Sequence, residues 1–145
     1  MQKYKFVIPS LLIFFLFASC LAVAQDEDPH VFTVTTIQLL NPEGGTFAEF
    51  DSLNTIYMEN VINKNEFILS QRSLQHLWGS NSQDYVYITE YARFGDIEKG
   101  NDRNSELFRE TWTTTEERRA YNQAIGKYFG THSDEIYQED AVNRK

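Results

Sequence analysis

Between Asp84 and Tyr91 the chain reads DYVYITEY, and this strict alternation limits its fold more than any other stretch. Successive side chains of a β-strand point to opposite faces, so Val86 and Ile88 share one face while Tyr85, Tyr87, Thr89 and Tyr91 share the other. The preceding run from Phe67 reads as a partner strand that places Arg72, Leu74, His76 and Trp78 on one parity. Between the two strands, Gly79-Ser80-Asn81-Ser82-Gln83 has the composition of a hairpin connection. Leu69 and Leu77 compete with Leu74 and Trp78, so which face of residues 69–78 meets the rest of the chain stays open.

The 145 residues suit one domain. Residues 1–24 read as an export signal. Lys3 and Lys5 form its basic start, Phe6 to Phe17 its apolar centre, and Ala22-Val23-Ala24 a small-residue cleavage site. The apolar run is short for a membrane span. Phe17-Ala18-Ser19-Cys20 also resembles a lipobox, which leaves lipid anchoring at Cys20 as the alternative to a soluble periplasmic or secreted protein. Cys20 is the one cysteine, so after cleavage at Ala24 the core alone must carry stability. The formal charge is −8; without a signal that holds two lysines and no acid, 11 basic and 21 acidic residues leave −10. Such a chain repels phosphate backbones and anionic membranes, which argues against nucleic acid as a partner.

The expected organisation is an acidic linker over 25–30, a folded domain over 31–140 and a short tail over 141–145. Val31 to Leu40 is β-branched and apolar on both parities, as in an internal strand. Asn41 to Gly45 is a turn by composition. Thr46 and Glu49 form a capping box ahead of Phe47, Phe50, Leu53, Ile56, Tyr57 and Val61, which recur at helical spacing to about Asn63. Beyond the hairpin, the spacing predicts a helical turn over 94–98, a polar break over 99–104 and a short helix over 105–112. A second capping box, Thr114 with Glu117, opens a longer helix whose apolar stripe runs from Ala120 to Phe129. Gly130 is expected at its C-cap, and Asp134 to Glu139 as a final strand.

Strand, helix, strand, strand, helix, strand is the ferredoxin-like βαββαβ arrangement. It is an α+β fold in which a four-stranded antiparallel sheet carries its helices on one face. The other face is expected to bear Trp78, Tyr85, Tyr87 and Tyr91. An exposed patch of that kind is rare on a soluble monomer, so a second copy packed sheet to sheet is expected.

On this element order, and on the texture of the hairpin QRSLQHLWGSNSQDYVYITEY, the chain resembles the dimeric α/β-barrel superfamily. That group includes antibiotic-biosynthesis-monooxygenase-like, stress-responsive barrel and NIPSNAP-like domains. The resemblance covers about Val31 to Glu139. It implies a homodimeric barrel with a pocket between sheet and helices in each protomer. It also implies functions that range from cofactor-independent oxygenases and haem-degrading enzymes to proteins without known activity.

Few residues are suited to chemistry. His76 could accept a proton or ligate haem, Arg72 could anchor a carboxylate, and Trp78, Tyr85, Tyr87 and Tyr91 could wall an aromatic ligand. The alternative for this group is interface packing. His132 with Asp134, and Glu135 beside them, could form a metal pair or an acid–base pair, but the same pattern is ordinary turn chemistry. His30 is read as incidental. Glu90, on the Val86/Ile88 parity, needs a partner, with Arg72 or Arg93 as candidates. There is no nucleophile elbow and no phosphate loop, and no cofactor is implied. Three functions follow. The first is a non-catalytic homodimeric module for a small apolar or aromatic molecule. The second is a cofactor-independent monooxygenase acting on an electron-rich aromatic substrate, and the third is a haem protein using His76.

Overall fold

The structure is a computed structural model and describes residues 28–140. The expected export signal with Cys20, the start of the expected linker and the tail over 141–145 lie outside the described residues. The elements are β1 (Val31–Leu39), α1 (Phe47–Asn60), a 3₁₀ turn (Ile62–Lys64), β2 (Ser70–Gln75), β3 (Asp84–Tyr91), α2 (Asp96–Thr111), α3 (Thr115–Gly126) and β4 (Phe129–Gln138). The sheet order is β2-β3-β1-β4, antiparallel throughout. This is the ferredoxin-like α+β fold, with the β-branched β1 inside the sheet and β2 and β4 at its edges.

The helices differ from expectation in one respect. Residues 96–111 form a single helix without the break expected over 99–104. Gly100, Asn101 and Asn104 are poor helix formers, yet Gly100 and Asn104 each have a tertiary use. A Cβ on Gly100 would come within 2.9 Å of the Tyr91 ring, so the glycine lets this helix lie directly on the sheet. Asn65 donates to the Gly100 carbonyl and to Asn104 Oδ1, both at 2.8 Å. Arg103 then bridges Glu66, Glu106 and Glu110 along the surface. Packing outweighs local propensity here.

Both predicted N-caps are present. Thr114 and Glu117 form a complete capping box. Thr46 accepts from the Glu49 amide, but the Glu49 carboxylate turns away to Lys127 at 2.8 Å and to the Tyr128 hydroxyl at 2.6 Å. Gly130 is not a helix cap. It lies in β4, where an added Cβ would meet the Gln38 carbonyl at 3.0 Å. The strand therefore begins five residues earlier than expected and takes in His132 to Glu135, which are not a turn.

The largest correction concerns the faces of the sheet. The tyrosine parity of β3 lies beneath the helices, not on the open side. Tyr85 is buried edge-on to Phe50 at 5.2 Å, and the Tyr87 hydroxyl donates to Asn54 Oδ1 at 2.8 Å. A phenol is at home in a core when its hydroxyl finds a partner, and α1 supplies one. The register then puts Phe32, Val34, Val86, Ile88, Leu74 and Tyr137 on the uncovered face. Leu74 and Tyr137 are each about half exposed there. β2 ends at Gln75, so Trp78 does not continue the parity of Leu74. It sits in the hairpin connection, 93% exposed, beside Leu77 at 97%.

No helix among the described residues is long and apolar enough to cross a membrane.

Candidate functional site: a cavity between sheet and helices

The tyrosine face of the sheet and the three helices line an open cavity of about 890 Å³. Asn54 and Tyr57 enter it from α1. From α2 come Asn101, Asn104, Ser105, Phe108 and Arg109, and from α3 Arg118, Tyr121, Asn122 and Ile125. These positions follow the i, i+3, i+4, i+7 rule that sets one face of a helix. The sheet contributes Thr33, Thr35 and Ile37 from β1, and Tyr87, Thr89 and Tyr91 from β3. Alternation on two neighbouring antiparallel strands brings both sets to one surface.

The cavity divides into an aromatic part and an amide part. Tyr57 and Tyr121 stack with centroids 6.4 Å apart, Phe108 stands against Tyr121 at 5.7 Å, and Trp112 lies behind at 4.1 Å. Tyr87 and Tyr121 are fixed by their hydroxyls, which donate to Asn54 Oδ1 and to the Leu53 carbonyl. Burial raises the phenol pKa of Tyr57, Tyr87, Tyr91 and Tyr121, and neighbouring tyrosines raise those of Tyr57, Tyr87 and Tyr121 further. All four are therefore neutral hydroxyls across the physiological range.

Among the described residues, the lining holds no Asp, Glu, His, Lys or Cys. Its charged members are Arg109 and Arg118. Arg118 is committed to the protein, donating to the carbonyls of Trp112 at 2.7 Å and Thr113 at 3.0 Å. Arg109 is exposed, and among the described residues no carboxylate stands within ion-pair distance of it.

The candidates drawn from the sequence fall in several places. Tyr87 and Tyr91 line the cavity, and Tyr85 lies in the core below Asn54, its hydroxyl accepting from Asn54 Nδ2 at 3.4 Å. Trp78 is at the hairpin tip. His76 follows β2 and is partly buried against Gly79. Arg72 points to the uncovered face of the sheet. Neither Arg72 nor His76 belongs to the cavity lining. His132 Nε2 and Asp134 Oδ2 are 3.3 Å apart on the outer strand, both more than 60% exposed. Among the described residues no third His, Cys, Asp or Glu joins them to hold a metal.

Glu90 finds its hydrogen-bonding partners in His30 and Ser70, and Arg72 on the same face adds a favourable charge. His30 Nδ1 lies 2.7 Å from Glu90 Oε1, and Ser70 donates to the other carboxylate oxygen at 2.5 Å. The Ser70 hydrogen bond, then His30, hold the Glu90 pKa below its usual value against the opposing effect of partial burial. His30 is thus part of the fold and not incidental.

Asn54, Tyr57, Arg109, Tyr121 and Asn122 escaped the sequence reading. The one available signal was an amide or phenol set inside an otherwise apolar helical stripe.

Neither a protein-family model nor a curated protein sequence matches the chain. Solved structures do. A conserved protein from Methanosarcina mazei Go1 aligns over 81% of this chain and 100% of its own at 14% identity, with a TM-score of 0.53. A dimeric ferredoxin-like protein of unknown function from Thermobifida fusca YX gives 0.53 at 7% identity, covering 77% of this chain and 92% of its own. A candidate antibiotic biosynthesis monooxygenase from Caulobacter crescentus CB15 gives 0.51 at 14% identity, over 79% and 92%. At these identities the likeness is one of fold: the chain shares the ferredoxin-like arrangement of these proteins.

Proposed function

We propose that the protein binds a small, mostly aromatic molecule in the cavity between its sheet and helices, and that it works as a homodimer joined through the uncovered sheet face. The observation that carries this reading is the make-up of the cavity: stacked phenols, amides and arginines, with no group able to take up a proton at neutral pH. A general base must sit within hydrogen-bond reach of its proton and titrate near the working pH. Tyrosines held neutral by burial do not meet that need, and an arginine stays protonated. Binding is therefore favoured over catalysis.

Dimerisation is supported by the apolar surface of Phe32, Val34, Val86, Ile88, Leu74 and Tyr137, and by the dimeric protein from Thermobifida fusca that shares the fold. Export rests on the first 24 residues, with release at Ala24 or anchoring at Cys20; the mass of the mature N-terminus separates the two.

The second reading is a cofactor-independent oxygenase, which the likeness to the Caulobacter crescentus protein supports. Oxygen uptake in the presence of 1,4-naphthohydroquinone decides between them. The binding reading expects no uptake above the protein-free rate, together with quenching of the intrinsic tyrosine and tryptophan fluorescence as the hydroquinone enters the cavity. Protein-dependent uptake that is lost in Asn54→Ala or Tyr57→Phe would establish the oxygenase instead.

A further inference from the structure

The cavity is electrostatically opposite to the protein that contains it. The chain carries 21 acidic residues and a formal charge of −8, yet among the described residues no carboxylate lines the cavity, whose formal charge is +2 from Arg109 and Arg118. Asp134, which accepts from the lining Thr35 at 2.7 Å, stands outside it on the exposed outer strand. A solvated surface on so acidic a chain would include several Asp or Glu by composition alone. The two arginines also lie together in the fold. Arg109 is in the last turn of α2, and Arg118 in the first turn of α3, on either side of the short connection at Trp112 to Thr114. Arg118 already satisfies the carbonyls of that connection. Arg109 has its five donors uncommitted among the described residues.

From this geometry we infer the class of ligand: a planar aromatic acid, its ring among Tyr57, Phe108 and Tyr121 and its carboxylate at Arg109. This rests on the binding reading above and sharpens it. A guanidinium pairs with a carboxylate through two parallel hydrogen bonds, which fixes orientation as well as adding affinity. The absence of competing carboxylates matters as much as the cation, because an acidic neighbour would both repel the ligand and occupy the arginine. The four neutral tyrosines add no negative charge to oppose the anion, and Asn122, one turn beyond Arg118, supplies a further amide donor on the same wall.

The test compares two probes of one shape, 2-naphthoate and the neutral 2-naphthol, titrated into the purified protein at pH 7 by calorimetry. The naphthoate is expected to bind about tenfold more tightly, an advantage that shrinks as salt is raised. Arg109→Gln is expected to abolish the advantage, and Arg109→Lys to retain part of it. Arg109 is exposed and bridges nothing, so neither change threatens folding. Equal binding of both probes by the unaltered protein, or an advantage that survives Arg109→Gln, would overturn the acid specificity and leave the cavity reading standing. Failure of both probes to bind would remove both.

Discussion

Asn54 holds two tyrosines at once, accepting from Tyr87 and donating to Tyr85 from a position only 9% exposed. Asn54→Leu keeps the volume but strands the Tyr87 hydroxyl, and a buried polar group without a partner costs about 1–3 kcal/mol. Urea unfolding is expected to show a lower midpoint with an unchanged slope. Glu90 gives a second test at this scale. Its folded pKa lies below the usual carboxylate range because Ser70 and His30 bind the charged form. A depressed carboxylate contributes stability that is complete above its unfolded pKa and is lost as pH falls through the folded one. Ser70→Ala raises the folded pKa toward the unfolded value, so it is expected to lower the urea midpoint at pH 7 and to leave little difference at pH 3. Little of this was legible in the chain. Which residue a carboxylate meets depends on register, and His30 pairs with Glu90 across 60 positions because β1 and β3 lie side by side.

At the scale of elements, two glycines separate packing from propensity. Gly126 ends α3 with open space around its missing Cβ and without a positive φ, so Gly126→Ala is expected to stabilise the protein by about 0.4–1 kcal/mol. Gly100 lies inside α2, where alanine is also the better helix former, but its Cβ would stand 2.9 Å from the buried Tyr91 ring. Gly100→Ala is therefore expected to destabilise, by about 1–3 kcal/mol, despite the gain in propensity. Thermal melts of the two variants should move in opposite directions. The strands, the first helix and both caps could be read from the chain because alternation, helical spacing and Thr/Glu boxes are local signals. The continuity of α2 could not. Its Gly100, Asn101 and Asn104 look like a break until the sheet and Asn65 are placed beside them.

For the whole molecule, the order of elements led to the right sheet and the right imbalance, with helices on one face and none on the other. Which face was which could not be read, because tyrosine suits both a wet interface and a core with hydrogen-bond partners. Asn54, 31 residues from Tyr85, decided it. The exchange of faces still leaves an apolar uncovered side, now Val34, Ile88 and Val86, on which the proposed second copy would pack. It also brings tyrosines to the cavity wall, so one assignment of faces underlies both the proposed dimer and the proposed ligand site. Sedimentation velocity of residues 25–145 at micromolar concentration, alongside Val34→Asp and Ile88→Asp, tests that assignment most directly. Twice the protomer mass for the unaltered chain and a folded single protomer for either variant is the expected result. A single protomer in all three, with the uncovered face open to water, would contradict it.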